Sequence, residues 1–163
     1  MLNVGIAAWV NDSADARERE LRMAIHTILT AVGRMRNAGE LPVVMKGGIL
    51  VALGYDSDRY TRDVDFSTSE LAEGQKPAQF AKALDAALAA AANALPYGLD
   101  CRVQSEKLEP PGPDKRFQTL RMTVGYAPLT DTRRHERLAQ KKSGRYRLCR
   151  CQLQRSHHGI GNY

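Results

Sequence analysis

Two adjacent glycines, Gly47 and Gly48, constrain this chain most strongly, because they stand between an apolar run at 41–45 and a short helix predicted at 49–53. A glycine turn that opens a helix lets backbone amides come close to a bound phosphate. Further along the chain, Asp63 and Asp65 lie one residue apart on a strand predicted at 62–67, so both belong to the same face of that strand. Carboxylate oxygens in this arrangement suit a shared Mg²⁺. The pattern predicts a site for a nucleoside triphosphate and its magnesium.

The order of predicted elements places that site in an α/β (α+β) protein with a small mixed β-sheet and flanking helices. Apolar residues recur with helical period over 13–38, and an alanine-rich segment at 76–95 favours a second long helix. Runs with β-branched residues or alternating polarity predict strands. The predicted strands are 41–45, 62–67, 99–108 and 117–127.

Composition is that of an ordinary globular chain, with 163 residues, 43% hydrophobic residues and 26% charged residues. The sequence has no apolar run of 18 residues and its start lacks the basic residues of a signal peptide, so we expect a cytoplasmic protein that does not enter a membrane. Three cysteines, Cys101, Cys149 and Cys151, form neither a disulfide framework nor a full zinc site, which favours reduced thiols.

The net charge of +6 is concentrated at one end of the chain. Residues 137–163 hold seven Lys or Arg and no Asp or Glu, whereas the rest carries 17 basic and 18 acidic residues. We therefore predict two parts: a core at 1–136 and a basic tail at 137–163, disordered or translated out of frame. A tail that binds RNA through its charge is the alternative, although it has few aromatic side chains for base stacking.

Two segments around the glycines and aspartates resemble a known family. Residues 45–50 read MKGGIL and residues 59–66 read RYTRDVDF, which is similar to the signature of AbiEii/AbiGii-type nucleotidyltransferases, toxins of toxin–antitoxin and phage-defence systems within the polymerase-β-like superfamily. The resemblance implies a nucleotidyltransferase-like core in which Asp63 and Asp65 are catalytic and hold metal. It also implies a set of nucleotide-binding residues, namely Lys46, Gly47, Gly48, Arg59 and Thr61. A structural salt bridge for Lys46 and Arg59, and strand entry for Thr61, remain alternative roles.

By the same resemblance, the chain transfers a nucleotidyl group from a nucleoside triphosphate to an acceptor such as tRNA, uses a two-ion Mg²⁺ site and has a cognate antitoxin. Such sites add a third carboxylate from a later strand, but the strand predicted at 117–127 has none. Asp131 in a following loop and Asp100 on an earlier strand are weaker candidates. The alternative is a catalytically impaired, truncated remnant that binds only nucleotide or an antitoxin.

The tail offers a reason for the missing carboxylate. One permitted set of codons for residues 145–160, read one base later, encodes an alternating strand with an inward carboxylate of the missing kind. We therefore hypothesise that the reading frame is lost near Gly144, which the nucleotide sequence would test.

Overall fold

The computed structural model describes residues 5–38, 43–55, 62–68, 77–110, 119–142 and 148–155. Within these ranges the chain forms five helices and five strands. No helix of the described part is long and apolar enough to cross a membrane. In chain order the elements are α1 (Ile6–Asn11), α2 (Ala16–Asn37), β1 (Val43–Lys46), α3 (Gly48–Tyr55), β2 (Asp63–Thr68), α4 (Pro77–Ala94), β3 (Leu99–Glu109), β4 (Thr119–Pro128), α5 (Thr132–Ala139) and β5 (Leu148–Arg155).

The five strands form one mixed sheet in the order β1-β2-β5-β4-β3. Only the β2–β5 pair is parallel among the pairs of this sheet in the described ranges, and the other neighbours are antiparallel. The chain thus builds two antiparallel pairs, β1–β2 and β3–β4, and β5 joins them from the middle. The expectation of an α/β fold with a small mixed sheet and flanking helices is confirmed.

The hydrophobic core lies between the sheet and the two long helices. Asp15 caps α2, its Oδ1 accepting hydrogen bonds from the backbone N–H groups of Arg17 and Glu18 at 2.8 Å each. Along α2 and α4 the buried positions recur three or four residues apart, as expected for helices that cover a sheet. The fully buried side chains of these helices and of the strands beneath them include Ile25, Ile28, Leu84, Leu88, Val64, Leu120, Met122 and Val124.

β2 separates the core from the polar face of the sheet. Val64 and Phe66 are buried in the core, whereas Asp63 and Asp65 are only partly buried on the opposite face, because successive side chains of a strand alternate between faces. The predicted placement of both aspartates on one face of a strand agrees with this burial pattern.

α5 follows β4 and packs against β3 and β4. Asp131 caps it, accepting a hydrogen bond from the Arg134 N–H at 3.0 Å, and the side chain of Leu138 is fully buried. Arg134 also forms an ion pair with Glu20 of α2. This link ties α5 to the helical layer through two side chains that are each about one-fifth exposed.

Three elements were not predicted as helices or strands: α1, α5 and β5. The boundary placed at 136/137 falls inside α5, and part of the segment predicted as a basic tail is β5, the central strand of the sheet. The structure describes Leu148–Arg155 as a strand, within the segment expected to be disordered or translated out of frame. The out-of-frame origin of this segment stays a prediction.

Candidate active site on the polar face of β2

The two aspartates of β2 form the acidic centre of the candidate site. Burial raises the pKa of the Asp65 carboxyl, and the negative charge of Asp63 raises it further, whereas the positive charge of Lys46 lowers it. A carboxylate whose charged form is disfavoured by burial and by a neighbouring carboxylate is stabilised by a nearby cation. The electrostatics therefore favour a bound cation between or beside these two side chains.

Lys46 is brought to the same place by strand pairing. It is the last residue of β1 and lies in register with Asp65 across the antiparallel β1–β2 pair. Side chains at paired positions of neighbouring strands lie on the same face of a sheet. The structure thus brings Lys46, Asp63 and Asp65 together on neighbouring strands.

Gly47 makes a close approach to the Asp65 carboxylate, whereas the approach to a phosphate expected of this turn stays a prediction. Its φ of +78° is a conformation that side chains disfavour. A Cβ atom at this position would stand 2.5 Å from Oδ2 of Asp65 and 3.3 Å from its Cβ and Cγ. Glycine is therefore required twice, by its backbone conformation and by the space that the Asp65 carboxylate occupies.

Gly48 is the first residue of α3, so the backbone amides of the turn lie at a helix N-terminus directly beside the aspartates. The N–H of Val51 donates to the carbonyl of Gly47 at 3.4 Å, which places Gly47 at the start of the helix. Amides at this position carry partial positive charge and bind anionic groups such as phosphate. A helix N-terminus, which favours anions, thus lies next to a carboxylate, which favours cations.

The donor set suits Mg²⁺ in kind but is small in number. Asp63 and Asp65 offer hard carboxylate oxygens, the ligand type that Mg²⁺ prefers, and their mutual repulsion is relieved by a divalent charge. Among the described residues there is no group of three or more His, Cys, Asp or Glu arranged to hold a metal ion. A cation here would draw on two carboxylates, with further ligands from water and phosphate.

Neither of the two weaker candidates for a third carboxylate reaches this site. Asp131 is the cap of α5, and Asp100 accepts from Arg102 Nε at 2.9 Å and pairs with His135 Nε2 at 2.8 Å. Asp100 also lies on β3, which β5 and β4 separate from β2. Both carboxylates stabilise the other half of the sheet instead.

Two functional predictions, Arg59 and Thr61, fall outside the described residues, and their roles stay predictions. β5 adds two positions that the sequence analysis missed: Arg150 is in register with Asp63, and Gln152 is in register with Asp65. The signal was present, since Cys149, Cys151 and Leu153 alternate with polar residues at the period of a strand.

The buried thiol of the described region has no place in this chemistry. Cys101 is fully buried, and burial strongly raises its pKa. A thiol in such surroundings stays protonated and unreactive.

No curated protein matches the chain. Among solved structures, one match is the crystal structure of JHP933 from Helicobacter pylori, with 16% sequence identity and a TM-score of 0.48 over 92% of this chain and 48% of that chain. This chain thus spans about half the length of that protein.

The match to a family model identifies the family, because it covers more than half of the chain. A family model described as "Nucleotidyl transferase AbiEii toxin, Type IV TA system" matches residues 28–138, which include Lys46, Gly47, Asp63 and Asp65. The chain belongs to the AbiEii nucleotidyltransferase toxin family.

Proposed function

We propose that this chain is a Mg²⁺-dependent nucleotidyltransferase that transfers a nucleotidyl group from a nucleoside triphosphate to an acceptor hydroxyl. The observation that carries the proposal is the juxtaposition of Gly47 with Asp65, where the glycine turn at the start of α3 lies against the Asp65 carboxylate. Membership of the AbiEii family supports a nucleotidyl-transfer toxin role.

In this proposal each part of the site has one task. The amides of Gly47 and Gly48 and the ammonium of Lys46 bind the triphosphate, and Asp63 and Asp65 hold Mg²⁺. When bound, Mg²⁺ supplies positive charge that offsets the negative charge of the reacting phosphates. The acceptor oxygen forms a bond to the α-phosphorus, the bond from that phosphorus to the pyrophosphate oxygen breaks, and the hydroxyl proton passes to solvent. The protein contributes positioning and charge neutralisation.

The acceptor we propose is RNA, with tRNA as the first molecule to test, and a cognate antitoxin is the proposed partner. The type IV toxin–antitoxin description of the family supports a toxin role with an antitoxin. Since tRNA and nucleoside triphosphates are cytoplasmic, we propose that the reaction takes place in the cytoplasm.

The test is label transfer from each of the four α-labelled ribonucleoside triphosphates to total tRNA in the presence of Mg²⁺. We expect Asp63→Asn and Asp65→Asn to lower the rate at least about 100-fold, because charge stabilisation of transferring phosphates is lost. Glu106→Gln is the matched control, an exposed carboxylate on β3 of the same sheet, and it should retain the wild-type rate. Transfer that persists in both Asp variants would contradict the assignment of the site.

A second candidate, a remnant that binds nucleotide without transferring it, is favoured by one observation. The positions of β5 beside the aspartates carry Arg150 and Gln152 rather than a carboxylate. Saturable nucleotide binding that depends on Asp65, with no transfer to RNA from any of the four nucleotides, would favour this second function.

A further inference from the structure

The polar face of the sheet, which carries the two aspartates of the candidate site, is covered by α5 at the far strands. His135 Nε2 lies 2.8 Å from Asp100 Oδ2, and Gln104 Nε2 donates to the carbonyl of Leu138 at 3.2 Å. Both of these β3 side chains alternate with buried core residues of the same strand. The helix α5 therefore lies on the side of the sheet opposite α2 and α4.

Nearer the aspartates, the polar face of β4 is partly exposed. Gly125 is buried, whereas Thr123 and Arg121 are only partly buried. Through one position of β5 in each case, the register aligns Thr123 with Asp63 and Arg121 with Asp65. Because neighbouring strands are about 4.8 Å apart, the backbone positions of each aligned pair are about 10 Å apart on the same face.

Arg121 and Lys107 form a positively charged pair on this open part of the sheet. Both bind the carboxylate of Glu109: Lys107 Nζ lies 2.8 Å from one oxygen, and Arg121 Nη1 lies 2.9 Å from the other. One negative charge thus faces two positive charges. Since the side chains of Lys107 and Arg121 are 70% and 41% exposed, the pair can attract a further anion from solvent.

Three more basic residues are held together at the C-terminal end of α5. Arg137, Lys141 and Lys142 are all exposed. The N–H of Lys142 donates to the carbonyl of Arg137 at 2.8 Å, and the N–H of Lys141 donates to that of Leu138 at 3.1 Å. The Leu138 carbonyl also accepts from Gln104 at the irregularity of β3, which places this end of the helix beside the open part of β4.

Lys141 has a backbone conformation that favours glycine. Its φ is +55°, and it follows the C-cap of α5, where a glycine is the most common residue. A lysine at this position lowers stability relative to glycine, because its Cβ is disfavoured at positive φ. In exchange, the lysine adds a positive charge to the exposed end of the helix.

We propose that these five basic residues bind the sugar–phosphate backbone of the RNA acceptor, next to the hydroxyl that reacts. The basic strip is defined as Lys107, Arg121, Arg137, Lys141 and Lys142. The inference rests on the proposed function for the identity of the acceptor. RNA fits the strip better than an acidic protein does, because the strip begins about 10 Å from the aspartates on the same face. A polyanion that brings its hydroxyl to the aspartates must have its neighbouring phosphates neutralised there.

The experiment measures the binding of fluorescently labelled tRNA to the full chain, without nucleoside triphosphate, over a series of salt concentrations. The test variants are Arg121→Gln, Lys142→Gln and Lys141→Gly. The controls Arg36→Gln and Lys82→Gln remove exposed charges from α2 and α4, on the other side of the sheet. Folding and stability of every variant are measured by circular dichroism and urea unfolding.

A basic residue that contacts a phosphate contributes about 0.7–0.9 to the slope of log affinity against log salt concentration. We expect each test variant to reduce the slope by about this amount, and to weaken binding about tenfold at about 50 mM salt, with the controls unchanged. Lys141→Gly should also raise the urea midpoint, so its weaker binding cannot come from unfolding. Unchanged slopes in the folded test variants would overturn the inference.

Polyglutamate is the second ligand, because an acidic protein is the other partner that a basic surface admits. At equal concentrations of negative charge, we expect tRNA to bind more tightly than polyglutamate. Tighter binding of polyglutamate that depends on Arg121 and Lys142 would identify an acidic protein as the partner and overturn the inference.

The outcomes separate this inference from the proposed function. Reduced slopes in the test variants, without label transfer to RNA, would remove the proposed function and leave the RNA-binding strip in place. Label transfer that requires Asp65, with unchanged slopes and an unchanged KM for tRNA in all test variants, would do the reverse.

Discussion

The substitution Gly47→Ala tests the contact on which the site depends. Holding alanine at a φ of +78° costs about 1–2 kcal/mol relative to an ordinary backbone conformation. The new Cβ would also stand 2.5 Å from Asp65 Oδ2, so the carboxylate must rotate away from its rotamer at about 0.5–1.5 kcal/mol. We therefore expect a loss of about 2–3 kcal/mol in the free energy of unfolding.

Two other glycines supply matched controls for the two parts of this cost. Gly98 has a φ of +57°, and a Cβ there would have no atom within 4 Å, so Gly98→Ala should pay only the backbone part. Gly33 lies within α2 and also has open space around it, so Gly33→Ala should stabilise the protein by about 0.5–1 kcal/mol. Of the three variants, Gly47→Ala should lower the free energy of unfolding most, Gly98→Ala should lower it less, and Gly33→Ala should raise it.

The decisive measurement is a double-mutant cycle, with unfolding by urea followed by circular dichroism. In an Asp65→Ala background the carboxylate that the new Cβ meets is absent, so Gly47→Ala should cost about 1 kcal/mol less than in the wild type. An equal cost of Gly47→Ala in both backgrounds would refute the contact between Gly47 and Asp65. A cost no larger than that of Gly98→Ala would refute it as well.

Three further predictions concern the layers that support the site. Burial lowers the pKa of the His26 imidazole, so the unfolded chain binds a proton more readily; stability should fall as pH drops below about 6.5, and His26→Gln should flatten that part of the pH profile. Asp85→Ala should cost about 1–3 kcal/mol because it leaves the N–H of Val103, which donates to Asp85 Oδ1 at 2.7 Å, without its acceptor; Asp85→Asn keeps an acceptor and should cost clearly less in the same urea titration. Arg134→Met should cost about 1–2 kcal/mol, and a coupling energy near zero in a cycle with its ion-pair partner on α2 would contradict the link between the helices.

The long helices and the acidic strand could be predicted because one physical cause dominates each of them. α2 and α4 bury a stripe that recurs with helical period, and β2 alternates between a core side and a polar side. The strand boundaries moved by only one or two residues where the structure describes them. Such elements can be predicted from local patterns because each one packs one face against the core along its whole length.

β5 was not predicted because its composition, which indicated a tail, was given more weight than its strand-like alternation of polar and apolar residues. Arginine and glutamine occupy every second position, and the acid-free surroundings suggested a tail. Its register gives the physical reason for the alternation: Cys151 is paired with Val64 on one side and Met122 on the other, both fully buried. That reason depends on a partner more than 80 residues away in the sequence, so no local pattern contains it.

The candidate site, too, could be predicted only where its residues lie close together in the sequence. The turn and the carboxylate pair could be predicted from spacing, since both belong to short continuous segments. The register of Arg150 with Asp63 could not, because it is set by the pairing of strands from distant parts of the chain. The role of Asp131 was likewise hidden, since a carboxylate after a strand is equally suited to bind a metal or to cap a helix, and here it caps α5.

The position of β5 also has a consequence in time. During synthesis β1 and β2, and then β3 and β4, can pair as they emerge, but the facing edges of β2 and β4 have no partner until residue 155 has been added. At the usual rate of translation, this interval after β4 lasts about 1–5 s. Open strand edges attract other strands, so the nascent chain is most prone to association during that interval. Because β5 also supplies the positions beside Asp63 and Asp65, we expect the candidate site to be completed only when this central strand has been inserted.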